Sequence, residues 1–125
     1  MVFGIGIDIQ EVKTIKKIIE KYGDRFINRI YTTEEISYCK KKGNYQSYAA
    51  RWAVKEAFFK GLGTGITKQS QFKEVSVRLN PNGKPEIHLT GNTKKYVQEE
   101  QLSINVSISH SGNYAVGQVI LSRQS

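Results

Sequence analysis

"RWAVKEAFFKGLGTG", Arg51 to Gly65, is the stretch on which the fold turns. Alanines and aromatics fill it and nothing inside breaks it, so it reads as the later part of a long helix from about Tyr45 to Leu62. Gly61, Gly63 and Gly65 end that helix abruptly. One glycine suffices for a left-handed C-cap; three imply that the backbone also approaches something closely. Glu56 and Lys60 sit one helical turn apart just before the break. On an exposed helix such a pair is common and adds about 0.2–0.5 kcal/mol. Here Ala49, Trp52, Ala53, Ala57 and Phe59 surround it, and the helix reads as mostly buried. A carboxylate on such a helix needs a cation or a metal to offset its burial.

Upstream, "VFGIGIDI" reads as a buried strand that ends at Asp8. A basic amphipathic helix follows from roughly Glu11 to Tyr22, with Val12, Ile15, Ile18 and Ile19 at helical spacing, and Gly23 interrupts it. "TTEE" opens a short helix, with Thr33 as the expected cap and acidic residues in the first turn. Downstream, a polar loop leads to "EVSVRL", which the Asn-Gly turn of "NPNGKP" joins to "KPEIHL" as a hairpin. "TGNTKKYVQEEQ" reads as a short helix. "INVSISH" and "YAVGQVIL" form a second hairpin around "SGN". The order predicts one α+β domain over residues 1–125, a largely antiparallel sheet packed with the long central helix.

A chain of 125 residues suits one domain with a sizeable core. Its apolar runs fall far short of the ~20 residues of a membrane helix, and no membrane partner is expected. "MVFGIGIDIQ" lacks the basic start and cleavage site of a signal peptide. The single Cys39 cannot form an internal disulfide, and no Cys/His cluster has zinc spacing. These features fit the cytoplasm. Nineteen Lys and Arg against eleven Asp and Glu give a net charge of +8. That balance favours an anionic partner: nucleic acid, a phosphorylated small molecule or an acidic protein.

Asp8, directly after "GIGI", is costly if buried alone. The plainer reading is a turn or cap; the other is a carboxylate pointing into a cleft. The glycines at Gly61 to Gly65 lie at a helix C-terminus, whereas phosphates are usually held at N-termini. Their order is wrong for a dinucleotide fingerprint and their spacing is wrong for a P-loop. Lys60 offsets the negative helix end and can meet a phosphate. His88, inside a strand, and His110, in "ISHSGN", each read as structural when taken singly. His110 is the better candidate because it lies at a hairpin loop, with the hydroxyls of Ser109 and Ser111 beside it. What survives is a pair of carboxylates, Asp8 and Glu56, holding a hard cation. Mg²⁺ typically takes one or two protein carboxylates plus substrate phosphates and waters. Lys60 and His110 can then bind further phosphate oxygens.

"GIGIDIQEV", "RWAVKEAFFKGLGTG" and "VSISHSGNYAVGQVI" together resemble the holo-[acyl-carrier-protein] synthase family of small 4′-phosphopantetheinyl transferases. The likeness extends over nearly the whole chain and includes the "NGKP" turn. It implies a phosphopantetheinyl transferase-like fold and transfer of 4′-phosphopantetheine from coenzyme A to a serine of apo acyl carrier protein. The by-product would be adenosine 3′,5′-bisphosphate, and the activity would support fatty acid biosynthesis. By resemblance, Asp8 and Glu56 are the ligands of Mg²⁺, or of Mn²⁺, and Lys60 is the catalytic lysine at the phosphates. Arg51, Lys60, Gly63, Thr64, Pro85, His110 and Ser111 fall where the family contacts coenzyme A. Either Glu56 or a metal-bound water relayed through a carboxylate would take the serine proton. The resemblance further implies a homotrimer with active sites between subunits, and no nucleic-acid partner.

The first helix in the family docks the carrier protein. Lys13, Lys17, Lys21, Arg25 and Arg29 recur here every four residues, with Lys16 beside them, and acyl carrier proteins are acidic. A solvated helix face is the plainer reading of that row. Two residues depart from the family pattern. Thr14 stands where many members carry Arg. Gly61 stands where Ala is common, which should weaken the helix end by up to about 1 kcal/mol unless this glycine is the cap. A basic nucleic-acid-binding module and a non-catalytic subunit are the rival readings. Mg²⁺-dependent turnover separates the first from an enzyme, and the intact Asp8, Glu56 and Lys60 argue against the second.

Overall fold

A computed structural model describes residues 1–63 and 69–123 of the chain; Thr64 and Gly65 lie outside the described residues. Strand β1 (Val2–Glu11) runs into α1 (Val12–Tyr22), α2 (Asp24–Ile30), α3 (Thr33–Lys42) and the long α4 (Tyr45–Leu62). Then come α5 (Gln69–Phe72), β2 (Val75–Leu79), β3 (Pro85–Leu89), α6 (Gly91–Glu99), β4 (Leu102–Ser111) and β5 (Tyr114–Arg123). The strands form two antiparallel sheets rather than one, with orders β1-β5-β4 and β2-β3.

The long helix has the bounds its sequence suggested. Asn44 caps its start by accepting from the Ser47 N–H, and Gly63, at φ 70°, is its left-handed C-cap. Gly61 is not the cap. It lies inside the helix against β1, where a Cβ would sit 3.3 Å from Leu121 Cδ1 and 3.4 Å from the Gly6 nitrogen.

Two local expectations change. Thr32, not Thr33, caps α3: its hydroxyl accepts from the Glu35 N–H while the Glu35 carboxylate accepts from the Thr32 N–H. The capping-box spacing is satisfied from Thr32 to Glu35, and Thr33 has Ile36 at the corresponding place. Strand β1, expected to be buried, is covered on one face only. Ile5, Ile7 and Ile9 are the exposed residues, at 58–59%, and Gly4 and Gly6 face inward.

The cause of that sidedness is the helix behind the strand. A Cβ on Gly6 would lie 1.7 Å from the Ala57 carbonyl oxygen, and one on Gly4 would lie 2.0 Å from the Gly61 carbonyl oxygen. On β5, a Cβ on Gly117 would lie 2.6 Å from the Val54 nitrogen. The sheet therefore lies almost backbone to backbone on α4. Ala53, Ala57 and Gly61, spaced four apart, supply the matching small-residue row on the helix. Ala115, Val119 and Leu121 of β5 complete that side of the core.

The opposite side of α4 buries charge. Lys55 and Glu35, both 0% exposed at the side chain, pair at 2.6 Å. Lys55 Nζ also donates to the carbonyls of Ile30 and Phe72, each at 2.8 Å, and Glu35 Oε2 accepts from the Val77 N–H at 2.7 Å. Burial pulls the Lys55 ammonium below its ordinary value, and Glu35 opposes that pull. The pair ties together α2, α3, α4, α5 and β2, with Phe26, Trp52, Phe59 and Phe72 in ring contact nearby.

Candidate functional site

Side chains alternate along a strand, so Gly4, Gly6, Asp8 and Gln10 share one face of β1. The first two lie under α4. Asp8 is the next residue on that face, and the Lys60 side chain of α4 reaches it. The Asp8 side chain is 12% exposed. Lys60 Nζ donates to Asp8 Oδ1 at 2.9 Å and to the Ile7 carbonyl at 3.2 Å. Gln10 Nε2 donates to Asp8 Oδ2 at 2.7 Å.

Lys60 thus crosses from helix to strand for its ion pair, instead of serving only as an i, i+4 partner of Glu56. Glu56 is half-buried beside this pair. Burial raises its pKa above the ordinary 4.5, the Asp8 charge raises it further, and Lys60 pulls it back. A raised folded-state value means that ionising Glu56 opposes folding. The stability it contributes is full below its ordinary value of 4.5 and is lost as pH rises through the raised one. Two carboxylates facing one ammonium leave a net negative spot, and a bound dication would relieve it.

The donor set decides which dication fits. Among the described residues no group of three or more His, Cys, Asp or Glu side chains could hold a metal by itself. That argues against a closed zinc site. Two carboxylates at a half-open spot fit Mg²⁺, which keeps waters and takes oxygens from substrate phosphates.

The remaining predicted residues stand apart from this group. His110 shares a cross-strand row with Ala115 and Gln10, so it faces the same way as Asp8 but two strands away, about 10 Å. It is exposed, as is Ser111 at the β4–β5 turn. Gly63 is exposed at the helix end. Pro85 opens β3 in the other sheet and lines a groove of about 320 Å³ with Lys84, His88 and Asn105. Arg51 lies about 140° round the helix from Glu56. It is buried, with its guanidinium 4.1 Å from the Tyr38 ring centroid and Nη1 donating to the Ser47 carbonyl at 3.3 Å. Its Nε has no hydrogen-bond partner among the described residues.

Gln10 escaped the sequence reading, although a polar side chain two residues beyond Asp8 on one strand must share its face. The Glu35–Lys55 pair escaped it too, since nothing sets Lys55 apart from the other lysines of a basic chain.

The family model of the 4′-phosphopantetheinyl transferase superfamily matches residues 4–119. The holo-[acyl-carrier-protein] synthase of Halothermothrix orenii is 44% identical over 122 residues, which cover 96% of this chain and 97% of that protein. The synthase of Ruminiclostridium cellulolyticum is 43% identical, with 94% and 90% covered. Among solved structures, the holo-[acyl-carrier-protein] synthase of Neisseria meningitidis superposes with a TM-score of 0.91 at 32% identity, covering 98% of this chain and all of that one. The Helicobacter pylori synthase, solved in complex with coenzyme A, gives a TM-score of 0.82 at 33% identity, covering 94% and 99%. With the fold, the matched span and the identities in agreement, the chain belongs to the holo-[acyl-carrier-protein] synthase family of the 4′-phosphopantetheinyl transferase superfamily.

Proposed function

We propose that the chain transfers 4′-phosphopantetheine from coenzyme A to a serine hydroxyl of apo acyl carrier protein and releases adenosine 3′,5′-bisphosphate. The observation that carries this reading is the convergence of Asp8, Glu56 and Lys60 on one spot, in a chain of this family. Asp8 and Glu56 would hold Mg²⁺, or Mn²⁺. When bound, that ion supplies Lewis-acid stabilisation of the diphosphate and a template for it.

The serine oxygen attacks the β-phosphorus, and the bond from that phosphorus to the bridging diphosphate oxygen breaks. Lys60, half-exposed at its side chain and near the rim, places positive charge where the leaving phosphate gains negative charge. The serine proton must go to a base. Glu56, or a water relayed through a carboxylate, would take it. Arg51, Gly63, Thr64, Pro85, His110 and Ser111 are proposed to contact coenzyme A. Incubating the protein with coenzyme A, Mg²⁺ and apo carrier protein, then weighing the carrier by mass spectrometry, tests the reaction. A carrier that gains no phosphopantetheine overturns the reading. A cytoplasmic setting and a role in fatty acid biosynthesis belong to the same proposal and rest on the family likeness.

The assembly is proposed to be a homotrimer. Ile5, Ile7 and Ile9 form an exposed apolar row, paired across the sheet with Ile120, Gln118 and Val116. Uncovered isoleucines at this density suit contact with another copy. A shared site would also bring the residues that stand apart in one protomer to the Asp8 group of its neighbour. Ile7→Lys puts a charge in the row and should convert the oligomer to monomer in sedimentation, with turnover falling alongside. A wild-type protein that sediments as a monomer contradicts the assembly.

Carrier protein is proposed to dock on the basic face of α1 and the start of α2. Lys13, Lys16, Lys17, Lys21 and Arg25 are all exposed. Gly23 ends α1, so Arg25 and Arg29 continue the row on α2. There they line a groove of about 430 Å³ with Ile18, Tyr22, Phe26 and Ile30, an apolar slot with a basic edge. Thr14, in place of the usual Arg, gives its hydroxyl to Glu11 at 3.0 Å. Rim charges mainly set association rate and salt dependence, over about 8 Å at physiological salt. Lys13→Glu with Lys17→Glu should raise the carrier KM severalfold and blunt its salt dependence. The KM for coenzyme A should hold. An unchanged carrier KM and salt response would return this row to a solvated face.

A further inference from the structure

Asp8 is held from both sides, and the two holds differ in kind. Lys60, on Oδ1, is an ammonium on a side chain that is 54% exposed, so it is free to move to a phosphate. Gln10, on Oδ2, is a neutral, half-buried amide fixed to the same strand face. Only its nitrogen can make this contact, because an ionised carboxylate accepts and does not donate. The final torsion of an aspartate is soft, so packing alone does not fix the carboxylate plane. Something must, if the group is to meet a small cation with a strict octahedral preference.

We propose that Gln10 is the positioning residue of this site: its amide clamps Asp8 Oδ2 and so presents Asp8 Oδ1 toward the cation and substrate diphosphate when Lys60 leaves. The inference rests on the functional reading above and goes beyond it, since Gln10 touches neither substrate nor metal in this role. Outer partners that orient a ligating carboxylate typically account for 10–100-fold in metal affinity or activity.

The test uses Gln10→Leu, which removes the donor and leaves a shorter apolar side chain, and Gln10→Met, which removes it while keeping the unbranched stem and the length. Free Mn²⁺ is followed by electron paramagnetic resonance in a titration of the protein with coenzyme A present and carrier protein absent, so that nothing turns over. Asp8→Asn is run beside them. We expect both Gln10 variants to bind Mn²⁺ about 10-fold more weakly. Melting temperature and carrier KM should match wild type, and the Mg²⁺ concentration for half-maximal turnover should rise in parallel. A purely structural role would lower the melting temperature and leave metal affinity alone. If the Gln10 variants bind Mn²⁺ as wild type does while Asp8→Asn does not, the clamp is wrong and the metal site stands. If wild type and Asp8→Asn bind alike, the metal reading fails and the clamp fails with it.

Discussion

Gly6→Ala is expected to remove a large share of the fold's stability. The added Cβ would lie 1.7 Å from the Ala57 carbonyl oxygen and 2.6 Å from its carbon. Both obstacles are main chain, so neither can turn aside as the tip of a side chain can. To admit the methyl, β1 must lift off α4. That opens the contact that Gly4, Gly6 and Gly117 share with the Ala53, Ala57 and Gly61 row. Overpacking of a core commonly costs 1–3 kcal/mol when side chains can adjust, and this site leaves no such adjustment. About 4 kcal/mol or more is the expected loss, out of a total that is typically 5–15. Lifting β1 also carries Asp8 away from Lys60, so any folded fraction should be a poor enzyme. Urea unfolding of the purified variant measures the loss. A Gly6→Ala protein within about 1 kcal/mol of wild type would contradict the close packing of strand on helix.

Lys55→Met is expected to cost about 3–5 kcal/mol, because it strands the Glu35 carboxylate in the core with no counter-charge. The carbonyls of Ile30 and Phe72 lose a donor in the same step. Adding Glu35→Gln should recover part of the loss. The neutral amide can still accept from the Thr32 or Val77 N–H and leaves no charge unpaired. Urea midpoints for the two single variants and the double variant give the coupling. Additive losses would mean that Lys55 and Glu35 do not act as a pair.

Much of the architecture was legible because its signals are local. The Asn-Gly turn declared the β2–β3 hairpin, the unbroken run from Tyr45 to Leu62 declared α4, and a glycine at the C-cap declared its end. Asp8 and Glu56 could be singled out as carboxylates in the wrong surroundings. Their meeting point could not be read, because it depends on how closely β1 lies on α4. That closeness was written in the sequence twice, as Gly4 and Gly6 two apart and as Ala53, Ala57 and Gly61 four apart. Neither pattern speaks until the two are set against each other. The small and β-branched residues of β1 read as a buried strand, on the ordinary rule that apolar residues seek the core, yet its isoleucines are exposed. Here the core side has no room for them. The Glu35–Lys55 pair is twenty residues apart in sequence and carries no periodic mark. Arg51 and Pro85 stand out by family likeness alone, and His110 by its place at a hairpin loop as well; none of the three lies beside Asp8 in one protomer.

The most direct test of the proposed site compares wild type with Asp8→Asn and Glu56→Gln, each of which keeps shape and removes one charge. Holo carrier protein is counted by mass spectrometry over time, at saturating coenzyme A and limiting Mg²⁺, and each protein is melted in parallel without metal. Each variant should turn over at least about 100-fold more slowly, equivalent to roughly 3 kcal/mol of transition-state stabilisation. Glu56→Gln should melt no lower than wild type at pH 7, because the carboxylate whose ionisation opposes folding is gone. Turnover near the wild-type rate in either variant would contradict the place given to that carboxylate.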